Sequence, residues 1–257
     1  MAAPRVLGVV PARLASERLP RKPLQELGGR PLIERVWRRA AGMPVFERVV
    51  VATDSDEVAA VCRAAGASVE LTSTEHASGT ERVAEVATRS SYRGFDVVVN
   101  LQGDEPFVAE EALAGAARLA ASGWDVGTAA TPLRSAGEWR SPDVVKVVRR
   151  DDAGALYFSR APIPWRRGSE PDAEAFAGPW YLRHVGVYAY TPEALGRWVA
   201  LPPHPLEAEE RLEQLRPLAA GLRIGVAVVA AAERGVDTPE DLAWAEARLR
   251  VLEASSP

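Results

Sequence analysis

Cysteine is nearly absent: Cys62 is the only one in 257 residues. A single thiol forms no intramolecular disulfide and assembles no thiolate zinc site within one chain. It falls in the apolar run Val58-Ala59-Ala60-Val61-Cys62, the setting of a packed thiol rather than a nucleophile. Histidine is scarce too, and His76 and His204 have no partners at metal-ligand spacing, so no histidine metal site is expected. No apolar run approaches the ~20 residues that cross a bilayer, and no signal-type region or small-residue cleavage site opens the sequence. No membrane insertion is therefore expected, and the cytoplasm is the expected compartment. Positive charge is not in excess either. The 31 basic and 35 acidic side chains leave a formal charge of −4, which argues against a broad nucleic-acid or acidic-membrane surface.

Apolar residues at 47% and charged residues at 26% are ordinary for a globular protein, which excludes disorder as the ground state. Short apolar runs alternate with amphipathic stretches over the first 130 residues. Strands are expected at 5–10, 48–52, 68–71 and 96–101. Helices are expected at 31–41, with Pro31 at the first position, at 56–65, from the capping box Ser78-Gly79-Thr80-Glu81, and at 110–121. Such alternation implies an α/β fold with a mostly parallel sheet covered by helices on both faces. Its ligands bind beyond the carboxyl ends of the strands.

From about residue 126 the pattern turns β-rich. Runs at 144–150 and 155–160 flank Asp151-Asp152-Ala153-Gly154, a hairpin signature. A Pro-, Gly- and Trp-containing ordered loop is expected at 161–180, a strand at 181–190, a helix at 206–215 and a buried strand at 224–229. A helix capped by Thr238 closes the pattern. The expected organisation is one domain over 1–257. It consists of a portion at 1–130, a β-rich insertion at 131–223, and a closing strand and helix of the main sheet at 224–257.

Three places carry candidate chemistry. Four of the fourteen residues from Pro11 to Leu24 are cationic, namely Arg13, Arg18, Arg21 and Lys22, in a chain that is acidic overall. The loop follows the first strand, so it is either a polyphosphate site or a solvated basic loop. It has neither P-loop spacing nor a Gly-x-Gly-x-x-Gly turn. Asp104, in Asn100-Leu101-Gln102-Gly103-Asp104-Glu105-Pro106, stands just past a strand. Asp237 stands just before the last helix cap. The pair either holds a divalent cation against phosphate oxygens or serves as an ordinary turn and cap. Period-two alternation puts His184, Gly186, Tyr188 and Tyr190 on one face of their strand, with His184 either packed or contacting a ligand.

With these segments in view, almost the whole chain resembles the 3-deoxy-manno-octulosonate (Kdo) cytidylyltransferases. The resemblance rests on Val10-Pro11-Ala12-Arg13 with Arg18-Leu19-Pro20 and Lys22-Pro23-Leu24, and on His76 with Ser78-Gly79-Thr80-Glu81-Arg82. Val99-Asn100-Leu101-Gln102-Gly103-Asp104-Glu105-Pro106, Val145-Lys146-Val147-Val148, and Ala155 to Arg160 with Ile163-Pro164-Trp165 follow. Leu182-Arg183-His184-Val185-Gly186-Val187-Tyr188, Pro205-Leu206-Glu207, Leu212-Glu213-Gln214-Leu215-Arg216 and Gly235 to Leu242 complete it, nine stretches in the family's order.

The resemblance implies a nucleotidyltransferase-type, Rossmann-like fold, a homodimer, and magnesium-dependent coupling of CTP with Kdo to give CMP-Kdo and pyrophosphate for lipopolysaccharide assembly. Ala12, Arg13 and Lys22 would then hold the CTP phosphates, and Ser78, Gly79 and Thr80 would line the cytidine site. Asp104 and Asp237 would hold magnesium. Gln102, counted with the nucleotide residues as well, joins Arg160, His184, Tyr188, Glu213 and Gln214 around the sugar acid. Arg13, Lys22, Asp104 and Asp237 would carry catalysis. Arg21 stands where the family's loop usually has glycine, and Ala189 where glycine is frequent. The alternatives are activation of a related acidic sugar such as 8-amino-Kdo, or a silent nucleotide-sugar binding protein.

Overall fold

Runs of Val, Ala and Leu with few charges become the strands, and stretches with apolar residues three and four apart become the helices. The computed structural model describes residues 3–16 and 18–254; Glu17 of the basic loop lies outside them. In chain order it has β1 (Val6–Ala12), β2 (Glu26–Leu27), β3 (Arg30–Pro31), α1 (Leu32–Ala41), β4 (Arg48–Thr53), α2 (Asp56–Ala64), β5 (Ser68–Leu71) and α3 (Gly79–Thr88). Next come β6 (Val97–Asn100), α4 (Glu110–Ala121), β7 (Val126–Pro132), α5 (Ala136–Arg140), β8 (Lys146–Arg149) and β9 (Ala155–Ser159). The remainder is α6 (Ala173–Ala177), β10 (Leu182–Tyr190), α7 (Pro192–Ala200), α8 (Pro205–Glu210), α9 (Leu215–Ala219), β11 (Ile224–Val228) and α10 (Pro239–Ala254). Contacts divide these into two units.

The first unit takes in Arg5–Phe95, Asn100–Val108 and the chain from Glu233 onward. Here β1 runs parallel to β4, and β4 parallel to β5, with Val9 opposite Val50 and Val51 opposite Val69. Alternation of apolar and polar residues is missing from β1 and β4 because they are buried on both sides: Leu7, Val9, Val10, Val50 and Val51 have no exposed surface. The helices α1 and α2 touch each other and pack on these strands, as does α3. Gly28 and Gly29, both at positive φ, turn the β2–β3 hairpin, and the Gly28 N–H donates to Glu246 of α10 at 2.6 Å.

The second unit contains Asp96–Val99 and Ala109–Ala232. Its strands are mixed: β11 is parallel to β7, whereas β10 is antiparallel to β7 and β8, and β8 to β9. The expected hairpin about residues 151–154 is present, with Ala153 at φ 76°. A small core of Leu133, Trp139, Phe176 and Tyr181 lies under the 161–180 segment, where Trp165 stacks on Trp139 at 5.6 Å.

Three expectations need correction. The helix expected at 206–215 is broken into α8 and α9, with Arg211 left-handed at φ 52°. The left-handed Arg211 ends α8 by letting the Leu212 N–H reach the Glu207 carbonyl at 3.2 Å, and Pro217 falls in the first turn of α9, where its missing N–H is tolerated. Pro31 caps α1 rather than occupying its first position. The helix α7 was not expected, although Thr191-Pro192-Glu193 repeats the Thr-Pro-Glu start seen at 238–240, and Thr191 accepts from the Ala194 N–H at 3.1 Å.

Candidate active site

In the first unit the carboxyl end of β1 is where the chain converges. Pro11 is the meeting point. A Cβ on Gly79 would lie 3.3 Å from the Pro11 ring, and one on Gly103 would lie 2.7 Å from the Pro11 carbonyl oxygen. Glycine at both positions thus lets the start of α3 and the turn after β6 close on β1. Ala12 is buried at the strand end, with Arg13 exposed just beyond it. Ser78 caps α3 by accepting from the Glu81 N–H at 3.2 Å. The Glu81 carboxylate returns to the Ala77 N–H at 2.8 Å rather than to Ser78, one residue off the expected capping box. Thr80 is buried.

The turn Gln102–Glu105 is closed by the Glu105 N–H on the Gln102 carbonyl at 3.2 Å, and it presents Asp104. The Val236 N–H donates to the Asp104 carbonyl at 2.8 Å, so the strand-end turn and the chain leading into α10 lie side by side. Thr238 and Asp241 then form a reciprocal cap: the Asp241 N–H donates to Thr238 Oγ1 at 3.2 Å, and the Thr238 N–H to Asp241 Oδ2 at 3.1 Å. Asp237 is held just ahead of that cap, its own N–H on Asp241 Oδ2 at 3.2 Å.

Lys22 brings these parts to one point. Arg21 adopts the left-handed conformation (φ 55°, ψ 35°) that glycine would take, pairs with Glu57, and launches the short turn Lys22–Leu24. The Lys22 Nζ then lies 2.6 Å from Asp104 Oδ2 and 3.0 Å from Asp237 Oδ1. Those partners are 82 and 215 positions away in sequence. Arg18 Nη2 approaches the other Asp237 oxygen at 3.0 Å. Burial lowers the Lys22 pKa, but the two carboxylates outweigh it and hold the ammonium above its usual value. Burial also pushes Asp104 above the usual carboxylate range despite Lys22. In Asp237 burial is outweighed by Lys22 and Arg18, which hold it below.

Two carboxylates sharing one cation are a donor set for a hard divalent ion that fills its remaining positions with phosphate oxygens and water. No group of three or more His, Cys, Asp or Glu side chains suited to a metal occurs among the described residues.

The second unit carries Arg160, His184, Tyr188, Glu213 and Gln214. Arg160 is anchored by its own donors: N–H to Glu210 Oε2 at 2.8 Å, Nε to the Glu210 carbonyl at 2.8 Å and Nη1 to the Pro142 carbonyl at 2.9 Å. Lys146, with no exposed surface, donates to the carbonyls of Ser141 (2.8 Å), Val144 (2.6 Å) and Arg160 (2.5 Å). Burial pulls its pKa down to about 8. His184 packs edge-on against Phe158 at 4.9 Å and beside Tyr188 at 5.6 Å, and its backbone N–H donates to the Val145 carbonyl at 2.8 Å. Gln214 is buried and Glu213 exposed, both between Arg211 and α9.

Sequence reasoning passed over Arg18 as a partner of Asp237, the buried Lys146, the half-buried Glu210, and Thr128, whose hydroxyl lies 2.9 Å from His184 Nε2. Arg18 and Lys146 carried signals, as a charge in the basic loop and as a charge inside an apolar run. Thr128 had none.

The cytidylyltransferase family profile matches residues 7–224. The chain is 54% identical over 252 residues to the 3-deoxy-manno-octulosonate cytidylyltransferase of Gemmatimonas aurantiaca, across 98% of this chain and 96% of that one. The chain belongs to the 3-deoxy-manno-octulosonate cytidylyltransferase family. It is thereby a nucleotidyltransferase. The namesake enzyme of Xanthomonas oryzae is 47% identical, over 93% of this chain and 94% of that one. A solved CMP:2-keto-3-deoxy-manno-octonic acid synthetase complexed with CTP superposes with a TM-score of 0.87 at 37% identity, covering 96% of this chain and 99% of the other. The α/β, nucleotidyltransferase-type fold expected from the sequence is thus the fold of this cytidylyltransferase. No helix among its described residues is long and apolar enough to cross a membrane.

Proposed function

We propose that this chain transfers the cytidylyl group of CTP to Kdo, giving CMP-Kdo and pyrophosphate for lipopolysaccharide assembly, as a magnesium-dependent cytoplasmic homodimer. The names of its relatives and the CTP held by the similar synthetase support the substrates. The observation that carries the reading is the shared ammonium. Lys22 touches Asp104 and Asp237 together, so both carboxylates reach one cation beside the basic loop after β1. In this reading residues 1–130 bind nucleotide, 131–223 bind sugar and dimerise, and 224–257 return to the main sheet.

The anomeric hydroxyl of the sugar attacks the α-phosphorus of CTP and releases its proton to solvent, the bond to the β-phosphate oxygen breaks, and pyrophosphate leaves. Such a transfer needs alignment and relief of charge rather than a protein nucleophile. Consistently, burial pushes the Cys62 thiol up to about 11, where it is inert. Asp104 and Asp237 would hold magnesium, which supplies Lewis-acid polarisation and charge neutralisation at the phosphates when bound. Lys22 and Arg13 offset the charge that develops on the leaving pyrophosphate. Ala12 lines the phosphates, and Ser78, Gly79 and Thr80 the cytidine. Gln102 and, in the sugar cluster, Tyr188, Glu213 and Gln214 contact the sugar acid. Arg160 meets its carboxylate, its guanidinium being oriented by Nε and Nη1 on the Glu210 and Pro142 carbonyls.

Asp104→Asn is the direct test. Circular dichroism should be unchanged, while pyrophosphate release from CTP and Kdo should fall about a hundredfold or more, as expected for losing a metal-holding carboxylate. Near-normal turnover would count against the reading. A parallel panel of Kdo, 8-amino-Kdo and other sugar acids, read by pyrophosphate, settles the acceptor.

A further inference from the structure

The strand β10 does not pair evenly with β7. His184 faces Ala130 and Val185 faces Ala129, but the next pair is Tyr188 with Thr128. Gly186 and Val187 therefore bulge out of the ladder, and the carbonyls of Val185 and Val187 come to face Thr128. The hydroxyl of Thr128, a fully buried polar side chain in a strand of mostly small and apolar residues, answers them. Its Oγ1 lies 2.7 Å from the Val187 carbonyl oxygen and 3.3 Å from that of Val185. His184 Nε2 is the third neighbour, at 2.9 Å.

A hydroxyl has one proton to give, and carbonyls only accept. If Thr128 gave that proton to His184, two oxygen lone pairs would face each other at 2.7 Å inside the protein. The proton therefore goes to the Val187 carbonyl, and the Thr128 lone pair accepts from Nε2–H. That arrangement assigns the tautomer: Nε2 is protonated and Nδ1 is bare. We propose that Thr128 is a positioning residue that locks His184 as an acceptor at Nδ1, so that His184 reads a hydroxyl of the acceptor sugar and not its carboxylate. The inference rests on the sugar-acid reading of this cluster. Burial of the ring against Phe158 holds the imidazole neutral, its pKa drawn down to about 3, so no protonated form competes near neutrality. A bare nitrogen lone pair repels a carboxylate, which leaves the anion to Arg160. The tautomer lock thereby fixes which end of the sugar acid each residue takes.

The test reads the tautomer first. Nitrogen NMR of the histidine-labelled enzyme, with His184 identified by its absence in His184→Asn, should show Nε2 protonated and Nδ1 bare. The pattern should hold from about pH 8 to about pH 5. Thr128→Val should release the lock, populating the Nδ1–H tautomer. It should lower kcat/KM for Kdo about tenfold, mainly through KM, with CTP binding in the absence of sugar unchanged. Thr128→Ser should restore both. An Nδ1–H parent, or a Val variant with an unaltered tautomer, overturns the proposal without any appeal to turnover. A shifted tautomer with unaltered Kdo kinetics overturns the recognition step. Loss of Kdo turnover in the parent itself would overturn the sugar reading rather than the tautomer assignment.

Discussion

Gly103 precedes Asp104 where the chain passes the Pro11 carbonyl with no room for a side chain: a Cβ would stand 2.7 Å from that oxygen. Backbone on both sides cannot give way cheaply, so Gly103→Ala must move the turn and the carboxylate it presents. Overpacking of this kind costs about 1–3 kcal/mol, and misplacement of a reacting group by about 1 Å can cost a hundredfold in rate. Gly103→Ala should therefore lower the urea midpoint modestly and pyrophosphate release by about tenfold or more, a disproportion read by measuring both. Arg21 is the converse case. It takes the left-handed geometry of a glycine, at a cost of about 1–2 kcal/mol for an L-residue. It pairs with Glu57 at the surface and leads directly into the turn that delivers Lys22.

Among elements, α3 shows how a loop of candidate ligands is held. Glu85 accepts from the Ser73 N–H at 2.9 Å, contacts His76 Nε2 at 2.6 Å and pairs with Arg89 at 2.5 Å, so the 72–78 segment is tied to the helix that follows it. Burial raises the Glu85 pKa, but these three partners overcome it and hold the carboxyl at about 2, below its ordinary 4.5. A depressed acid contributes stability above its unfolded pKa and loses it as pH falls through the folded one. Glu85→Gln should then cost about 1 kcal/mol near neutrality, the shift being discounted for a partly solvated side chain. Urea melts of parent and variant should converge as pH drops from 4.5 toward about 2. A gap that stayed constant with pH would deny the ion pairs their part.

The same scale shows what the sequence could and could not display. Strands such as 224–229 and the helix 110–121 were legible because apolar spacing alone determines them. The break at Arg211 was not, since it is made by left-handed backbone at a residue that is not glycine, which no spacing signals. The Thr-Pro cap of α7 was present in the sequence and went unread. The individual carboxylates were legible as strand-end and cap residues, but their meeting on Lys22 depends on the Val236–Asp104 backbone bond, which no local pattern encodes. Thr128 lies further out of reach. Its role arises from a bulge in the neighbouring strand, so only the paired sheet reveals it.

At the scale of the molecule, the residues assigned to CTP and magnesium fall in the first unit, and Arg160, His184, Tyr188, Glu213 and Gln214 in the second. Each cluster is built from hydrogen bonds within its own unit: the Lys22 pairs in one, the Glu210, Lys146 and Thr128 anchors in the other. The two sets of contacts should therefore be separable by substitution. Arg160→Met keeps much of the side-chain volume and removes a charged donor to the acceptor's carboxylate, an interaction worth about 1.5–3 kcal/mol. It should lower kcat/KM for Kdo by about tenfold to a hundredfold. Calorimetric binding of CTP with magnesium, measured without sugar, should stay at the parent value. Lys22→Met should do the reverse, weakening CTP binding before any sugar is added. If Arg160→Met weakened CTP binding as much as it slowed Kdo transfer, Arg160 would belong to the nucleotide's contacts, and the carboxylate would have to be received by another residue.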